Sequence, residues 1–200
     1  APKSGERESK IVVAAAEHGF DPDDWSIFWE AIMRMGNATR RNAWIVMLFT
    51  GIRSENVRSL TWNQIDFDSR TIRLDKMKNG LSRTMPVSAT VMTVLEAQRS
   101  NHEHVFPSNS RTGHIDHLDA LKTDDGIVVL SQHDTRRHFM QACAEAFLPD
   151  YVAHFLRGDK KAGSGNDMLM RYLKRMGNHH APSQIEDVII SHIGNRPEIS

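Results

Sequence analysis

Disulfide chemistry and membrane insertion are the first possibilities that this sequence excludes. It has a single cysteine, Cys143, among 200 residues, so no internal disulfide can form and a reducing compartment is indicated. It also has no apolar run of spanning length and no secretory signal, which predicts a soluble, cytoplasmic protein. A chain of this length with 40% hydrophobic residues can bury one core, so we expect a single domain over residues 1–200.

An excess of positive charge is also missing. The 25 basic residues balance the 25 acidic ones, so the formal net charge is zero. Generic nucleic-acid-binding proteins are usually basic, so any nucleic-acid-binding face must arise from an uneven distribution of charge.

Recognised metal-binding spacings are absent although histidine is frequent. The 11 histidines form three close pairs, none with cysteine or carboxylate partners at a spacing typical of metal sites. We interpret them as loop residues and expect no metal. The pairs are His102 with His104, His114 with His117, and His179 with His180.

The most informative segment places Arg53 between two apolar helical stretches. Apolar residues recur at helical spacing in residues 44–48 before it and residues 57–60 after it. Gly51 lies where the first helix should end, and Ser54 can act as the N-cap of the second. Arg53 is therefore expected at the joint between two packed helices.

An arginine at such a joint needs a negatively charged partner. Arg53 can form a structural ion pair with Glu55 or Asp66, and structural pairs are commoner than functional sites. Its planar guanidinium group, with five donors, is also well suited to phosphate. The segment alone leaves both interpretations open.

The residues around Arg53 resemble a known family. Thr50-Gly51-Ile52-Arg53, followed by Leu60-Thr61-Trp62 and Ile65-Asp66, is similar to the first-arginine segment of the tyrosine recombinases, the phage integrase family that cuts and rejoins DNA. The resemblance implies that Arg53 binds the scissile phosphate. Asn56 departs from the pattern, because an acid is usual at that position.

Residues 64–87 change from helical to strand periodicity. We predict three short strands, Gln64–Phe67, Thr71–Leu74 and Thr84–Val87, separated by turn-forming residues. They should form a small antiparallel sheet.

The turn between the second and third strands carries a candidate general acid. Asn79-Gly80 is typical of a hairpin turn and places Lys78 at its tip. The segment resembles the lysine hairpin of the same family, in which the lysine protonates the departing oxygen. Lys76 is the alternative if the register is shifted by two, and a lysine at a hairpin tip is often edge protection only.

A second candidate segment contains His133 and Arg136. They are three residues apart at the start of a predicted helix, so both project to one side, and a helix start favours phosphate through its backbone N–H groups. The segment is similar to the His-x-x-Arg box of tyrosine recombinases. In that role Arg136 is the second phosphate ligand and His133 assists proton transfer; a basic helix end on the surface is the alternative.

The next landmark of the family falls on Arg157-Gly158-Asp159, where Asp159 replaces a histidine that donates to the phosphate. Three explanations are open. The aspartate points away and pairs with Arg157 or Lys160, it is protonated, or Lys160 or Lys161 replaces the missing donor. We favour Lys160 as the donor, because the segment that follows is longer than usual and because a charged donor is the stronger one.

The candidate nucleophile is Tyr172, one of two tyrosines. It lies on a predicted helix beginning near Asp167, on a stripe with Leu169 and Leu173. The resemblance implies that Tyr172 attacks the scissile phosphate and forms a 3′-phosphotyrosyl bond. The other tyrosine, Tyr151, is interpreted as a core residue.

The resemblance covers about residues 21–173 and implies a mainly α catalytic domain with a three-stranded antiparallel sheet. We find no N-terminal DNA-clamping domain of the kind that the family has, so we expect the catalytic portion of a larger protein.

Residues 1–10 should be disordered. We expect one helix near His114–Leu121 in an otherwise loop-rich stretch, and a terminal helix over residues 183–193 that packs on its own domain or on a neighbouring subunit.

The function implied is site-specific recombination or integration of DNA from a mobile element. The resemblance implies double-stranded DNA as partner, self-association on DNA, no membrane, no metal and no nucleotide cofactor, in the cytoplasm of a bacterial or phage-host cell. Two alternatives are a catalytically impaired DNA-binding relative and a type IB topoisomerase-like enzyme that uses the same chemistry.

Overall fold

A computed structural model describes residues 17, 19, 21, 23–75, 82–159 and 166–194. The described elements, in chain order, are α1 (Trp25–Met33), α2 (Ala38–Thr50), α3 (Ser54–Arg58), a 3₁₀ turn (Trp62–Gln64), β1 (Ile65–Asp66), β2 (Thr71–Leu74), β3 (Arg83–Pro86), α4 (Ala89–Ala97), β4 (Leu121–Lys122), β5 (Val128–Leu130), α5 (Asp134–Glu145), α6 (Asp150–Leu156), α7 (Asn166–Met176) and α8 (His180–Ile193). The predicted class, mainly α with a small antiparallel sheet, is confirmed. None of the described helices is both long and apolar enough to span a membrane.

Helix α2 is the centre of the fold and packs against α1, α3, α4, α5 and α8. It begins where the Asn37 side chain accepts a hydrogen bond from the Arg40 N–H at 2.9 Å, and it ends at Gly51, which has the left-handed φ of 61°. Every residue from Asn42 to Thr50 is buried, so the helix is enclosed on all sides. Its C-terminal end, and Arg53 just beyond it, are therefore held by the core.

The predicted three-stranded sheet is present: the second strand has the predicted ends, and each end of the other two strands differs by one residue. Its strand order is β1-β2-β3, and all neighbours are antiparallel. Ile72 pairs with Ile65 on one side and Met85 on the other, and Ile72, Leu74 and Met85 are buried against the helices. The turn that carries Lys76 and Lys78 lies outside the described residues.

The helix predicted near His114–Leu121 is wrong. That stretch is extended, with Ile115 N–H donating to the Phe106 carbonyl at 3.1 Å, and it leads into β4, which pairs with β5 in a second, two-stranded sheet. Ile115 and Leu118 are buried as anchors of an extended segment, because its backbone hydrogen bonds go to neighbouring segments and not along a helix.

The terminal helix α8 packs on its own domain. It starts at His180, three residues before the predicted position, since Pro182 is tolerated in the first turn. Its buried Glu186 accepts a hydrogen bond from the Thr90 N–H at 3.0 Å, at the start of α4. A carboxylate at a helix N-terminus satisfies a free donor and complements the helix dipole, so this contact joins α8 to α4.

Candidate phosphate-binding site

Arg53 lies between α2 and α3, as predicted. It is the N-cap residue of α3 and makes no side-chain capping bond. The prediction that Ser54 caps this helix is wrong: Ser54 is its first helical residue, and its hydroxyl donates to Gln132. Gln132 in turn donates to the Leu118 carbonyl, so it joins the Arg53 segment, the start of α5 and the loop before β4.

Close packing brings α5 against the end of α2. A Cβ atom added to Gly51 would lie 2.5 Å from Cδ1 of Phe139, a distance that no real side chain tolerates. Glycine at this position therefore serves both the left-handed turn and the contact between the helices. One turn earlier on α5, Arg136 reaches the same place, and its Nη1 donates to the Gly51 carbonyl.

Arg136 is almost completely buried, with 11% of its side chain exposed. Its Nη1 also donates to the Arg157 carbonyl at 3.3 Å, and its Nη2 donates to Oδ1 of Asp159 at 2.6 Å. Burial, with the charges of Arg157 and Arg53, lowers the pKa of Arg136 to about 10, although Asp159 opposes this shift. The guanidinium group remains cationic at neutral pH.

Arg53 approaches the same carboxylate from the other side. Its Nη1 donates to the Gly158 carbonyl at 3.2 Å and its Nη2 to Oδ1 of Asp159 at 3.3 Å. Ion pairing of Arg53 with Glu55 or Asp66, the structural alternative, is therefore wrong for this side chain. The partner of Arg53 lies 106 residues further along the chain.

Asp159 is the point at which the cationic side chains meet. Its Oδ2 accepts from Nε of Arg157 at 2.7 Å and from a second Arg157 nitrogen, and it lies 3.1 Å from Nδ1 of His154. Burial alone would raise the pKa of Asp159, but hydrogen bonds from His154 and Arg157 and the charge of Arg136 lower it below its ordinary value. The carboxylate is ionised.

Of the three explanations for Asp159, the first is confirmed in its pairing with Arg157 but wrong in the direction of the side chain, and the second, protonation, is wrong. The side chain pairs with Arg157 as proposed, yet it does not point away from Arg53 and Arg136, and its lowered pKa excludes protonation at neutral pH. The third concerns Lys160 and Lys161, which lie outside the described residues.

The turn that carries Asp159 is tied to the sheet. The Asp159 N–H donates to the His154 carbonyl at 2.9 Å, and Gly158 between them has a φ of 73°. Arg83, on β3, donates to the Asp159 carbonyl at 3.2 Å and stacks over Phe155 with its Cζ 5.1 Å from the ring centroid. The backbone at Asp159 is thereby fixed from both sides.

An open cleft of about 430 Å³ lies beside Arg53 and Arg136. His133 lines it from the start of α5; its side chain is exposed and forms no hydrogen bond with a described residue. Three short segments form the walls of the cleft: residues 53–55, 117–120 and 131–136. A larger cleft of about 660 Å³, between α1 and β4, contains none of the predicted site residues that the structure describes.

Tyr172 lies on α7, as predicted, half-buried against the core and one turn from the buried Leu169. Burial raises the pKa of Tyr172 above its ordinary value of 10, and the neighbouring Tyr151 raises it further. Its hydroxyl forms no hydrogen bond with the described members of the arginine cluster. The structure therefore joins Arg53, Arg136 and Asp159, with His133 beside them, and leaves Tyr172 outside these contacts.

His154 completes the cluster and was not predicted, and Arg157 was foreseen only as a partner that would draw Asp159 away. They are three residues apart at the end of α6, a spacing that places both on one side of a helix. The sequence does contain this three-residue spacing. It indicates a shared side only where a helix is recognised, and the sequence analysis predicts no helix at α6.

Comparison with known proteins gives a consistent set of similarities. A family model described as "Phage integrase family" matches residues 22–158, which include Arg53, His133 and Arg136 but not Tyr172. The chain is 35% identical over 102 residues, 48% of its length, to a putative integrase/recombinase of Haemophilus influenzae. It is 27% identical over 146 residues, 66% of its length, to the prophage integrase IntF of Escherichia coli.

These similarities cover only part of the relatives. The matched segments amount to 27% of the Haemophilus protein and 31% of the Escherichia protein. Among solved structures, the integrase from mycobacterium phage Brujita superimposes with a TM-score of 0.58 at 18% identity, over 96% of this chain and 65% of that one. At that level of identity the likeness concerns the fold alone.

Proposed function

This chain belongs to the phage integrase family, and we propose that it is the catalytic part of a tyrosine-type site-specific recombinase that breaks and rejoins DNA strands. The observation that carries the proposal is the convergence of Arg53 and Arg136 on a single anionic oxygen beside an open cleft. Double-stranded DNA is the proposed substrate, and we propose self-association on that DNA.

The arginine pair has the geometry that a phosphate site requires. Each guanidinium group uses Nη1 on a backbone carbonyl and directs Nη2 at the same carboxylate oxygen. We propose that a non-bridging phosphate oxygen takes the position of that oxygen when DNA is bound. Donors that are fixed before the substrate arrives need no reorganisation during the reaction, and they stabilise the charge that develops there in the transition state.

We propose the following reaction at that phosphate. The Tyr172 oxygen forms a bond to phosphorus while the bond from phosphorus to the 5′-oxygen breaks, which leaves a 3′-phosphotyrosyl linkage. His133 assists removal of the Tyr172 proton, and Lys78 gives a proton to the departing 5′-oxygen. A 5′-hydroxyl of another strand then reverses the step.

Deprotonation of Tyr172 is the demanding part of this scheme. Its pKa is raised in the DNA-free protein, so at neutral pH it is a neutral phenol and a poor nucleophile. A proton acceptor at the site is needed, and we propose His133, which lines the cleft, for this role.

One observation favours a second candidate function, a DNA-binding relative without cleavage activity. Asp159 holds the anion position with four side chains. If the carboxylate were never displaced, the arginines would not reach a phosphate, although the surrounding surface would still bind DNA.

A covalent-capture assay separates the two functions. The protein is incubated with radiolabelled nicked duplexes drawn from the DNA that flanks its own gene, and products are resolved in denaturing gels. A recombinase forms a covalent protein–DNA band that disappears in Tyr172→Phe, while both proteins retain similar DNA affinity. DNA binding without a covalent band in either protein would support the impaired relative.

A further inference from the structure

The Asp159 carboxylate is bound in the manner of a small anion. Arg53 and Arg136 donate to Oδ1, at 3.3 and 2.6 Å, and Arg157 and His154 contact Oδ2. Both oxygens thus receive two partners each, from side chains on three separate segments. The carboxylate is largely buried, with 12% of its side chain exposed, while Arg53 is 41% exposed, so the pairing with Arg53 stays in contact with solvent.

The arginines do not depend on the carboxylate alone for their position. Arg136 is also held by the carbonyls of Gly51 and Arg157, and Arg53 by the carbonyl of Gly158. These contacts use the Nη1 atoms, whereas the carboxylate occupies the Nη2 atoms. Removing the carboxylate would therefore leave two donors in place and pointing at an empty anion position.

The main chain at Asp159 is held independently of the carboxylate. It is fixed by the His154 carbonyl and by Arg83, while the carboxyl group is attached through the single χ1 bond of Asp159. Rotation to another staggered rotamer moves the carboxyl group away from Nη2 of both arginines. The energetic cost is loss of its ion pairs, which an incoming dianion or DNA phosphate can replace.

We propose that Asp159 is a removable occupant of the phosphate site: its carboxylate neutralises the arginine cluster in the DNA-free protein and is displaced by the scissile phosphate. One non-bridging oxygen then binds Arg53 and Arg136, and the other binds Arg157 and His154. His154 and Arg157 thereby become phosphate ligands, and His154 supplies the imidazole that position 159 lacks. The identity of the phosphate as that of DNA rests on the proposed function; the exchange of anions does not.

The alternative is that Asp159 is a permanent structural brace. A brace and an occupant both stabilise the fold when present, so a loss of stability on mutation does not separate them. They differ in what can replace the carboxylate: an occupant leaves behind a site that a free anion fills, with a gain in stability set by the affinity of that anion.

The test uses Asp159→Ala, Asp159→Asn and inorganic phosphate. Melting temperatures are measured in sodium chloride and in sodium phosphate at equal ionic strength, and phosphate affinity is measured by calorimetry. Both variants should melt below the wild type in chloride, recover in phosphate in a saturable manner, and bind phosphate about tenfold or more tightly than the wild type does. Adding Arg136→Ala to Asp159→Ala should abolish the phosphate response.

Asp75→Ala is the matched control, because Asp75 pairs with Arg73 on the surface, with 45% of its side chain exposed. Its response to phosphate should equal that of the wild type. If the Asp159 variants respond to phosphate no more than Asp75→Ala does, the carboxylate is a brace and the inference is overturned. If they fold only in phosphate, the inference is supported; if they fold in neither salt, it is overturned.

The two proposals fail separately. Phosphate binding by the Asp159 variants without any covalent capture of DNA by the wild type would leave the anion exchange intact and remove the recombinase function. If the wild type captures DNA covalently but the Asp159 variants neither bind phosphate nor are stabilised by it, the recombinase function stands and the proposed displacement of Asp159 by phosphate is overturned.

Discussion

The two sides of the arginine cluster are built in different ways. One side is formed by residues 51–54 and 133–136, here called the scaffold side. Its arginines are held by the packing around Gly51 and by the carbonyls of Gly51, Arg157 and Gly158, and the whole scaffold side lies within the family match. The other side is formed by residues 154–159, here called the terminal side, where the contacts are charged side chains around one carboxylate. The family match ends at residue 158.

The two sides therefore have different roles: one provides the donors of the anion site, and the other determines which anion occupies it. The scaffold side supplies the arginine donors, which lie beside a buried helix and at the start of α5, and backbone carbonyls of both sides hold their Nη1 atoms. The terminal side determines what occupies that site, since Asp159 is held there by forces that another anion can replace. The departure from the family pattern at Asp159 falls on the terminal side, whereas the departure at Asn56 lies beside the scaffold side.

The largest effect should come from the scaffold arginines. Replacing Arg53 or Arg136 by lysine keeps the charge but removes the planar pair of donors, so either variant should form the covalent DNA band about 10²–10³-fold more slowly than the wild type. Single-turnover capture assays measure this rate. Arg73→Lys, at an exposed ion pair, is the control and should react normally. Near-normal rates for both scaffold variants would remove the phosphate-ligand assignment.

A second prediction tests whether packing fixes the scaffold side. Gly51→Ala combines a left-handed φ of 61° with a Cβ placed 2.5 Å from Phe139, and should lower the free energy of unfolding by about 2–4 kcal/mol. Gly126→Ala has a similar φ of 83° with no atom within 4 Å, so only the backbone term of about 1 kcal/mol applies. Urea unfolding compares the two. If both variants lost the same unfolding free energy, Phe139 would be able to move away from the added Cβ atom without destabilising the protein.

Sequence reasoning reached the scaffold side because its signals are local. Gly51 marks a helix end, His133 and Arg136 lie one helical turn apart, and both patterns act within a few residues. The three-stranded sheet was found for the same reason, from alternating residues and turn chemistry around residues 64–87.

The contacts of Asp159 with Arg53 and Arg136 escaped prediction because they join distant residues. Nothing in the neighbourhood of Asp159 indicates that its carboxylate meets Arg53, 106 residues earlier. The short helix α6 has few turns over which a period can be read, so the pairing of His154 with Arg157 was missed. The second sheet was missed because β4 has two residues and β5 three, too few for alternation to be recognised.

The smallest predicted effect is a pH dependence on the terminal side. The pKa of Asp159 is lowered from its ordinary value of 3.8, so its stabilising contribution is complete above that value and is lost as the pH falls through the lower pKa of the folded state. The difference in unfolding free energy between the wild type and Asp159→Asn should therefore shrink as the pH falls below about 4. Urea unfolding across this range measures it. A difference that already shrinks near pH 6 would show that another group is responsible.

The central claim is that Arg136, with Arg53, binds the charge of the scissile phosphate, and a substrate without that charge tests it most directly. In a nicked duplex whose scissile phosphate is a methylphosphonate, one non-bridging oxygen is replaced by a methyl group and the negative charge is lost. Arg136→Ala should form the covalent band on this substrate at a rate much closer to that of the wild type than on ordinary DNA. An equal deficit of Arg136→Ala on both substrates would contradict the claim, because it would place the function of Arg136 elsewhere than on the phosphate charge.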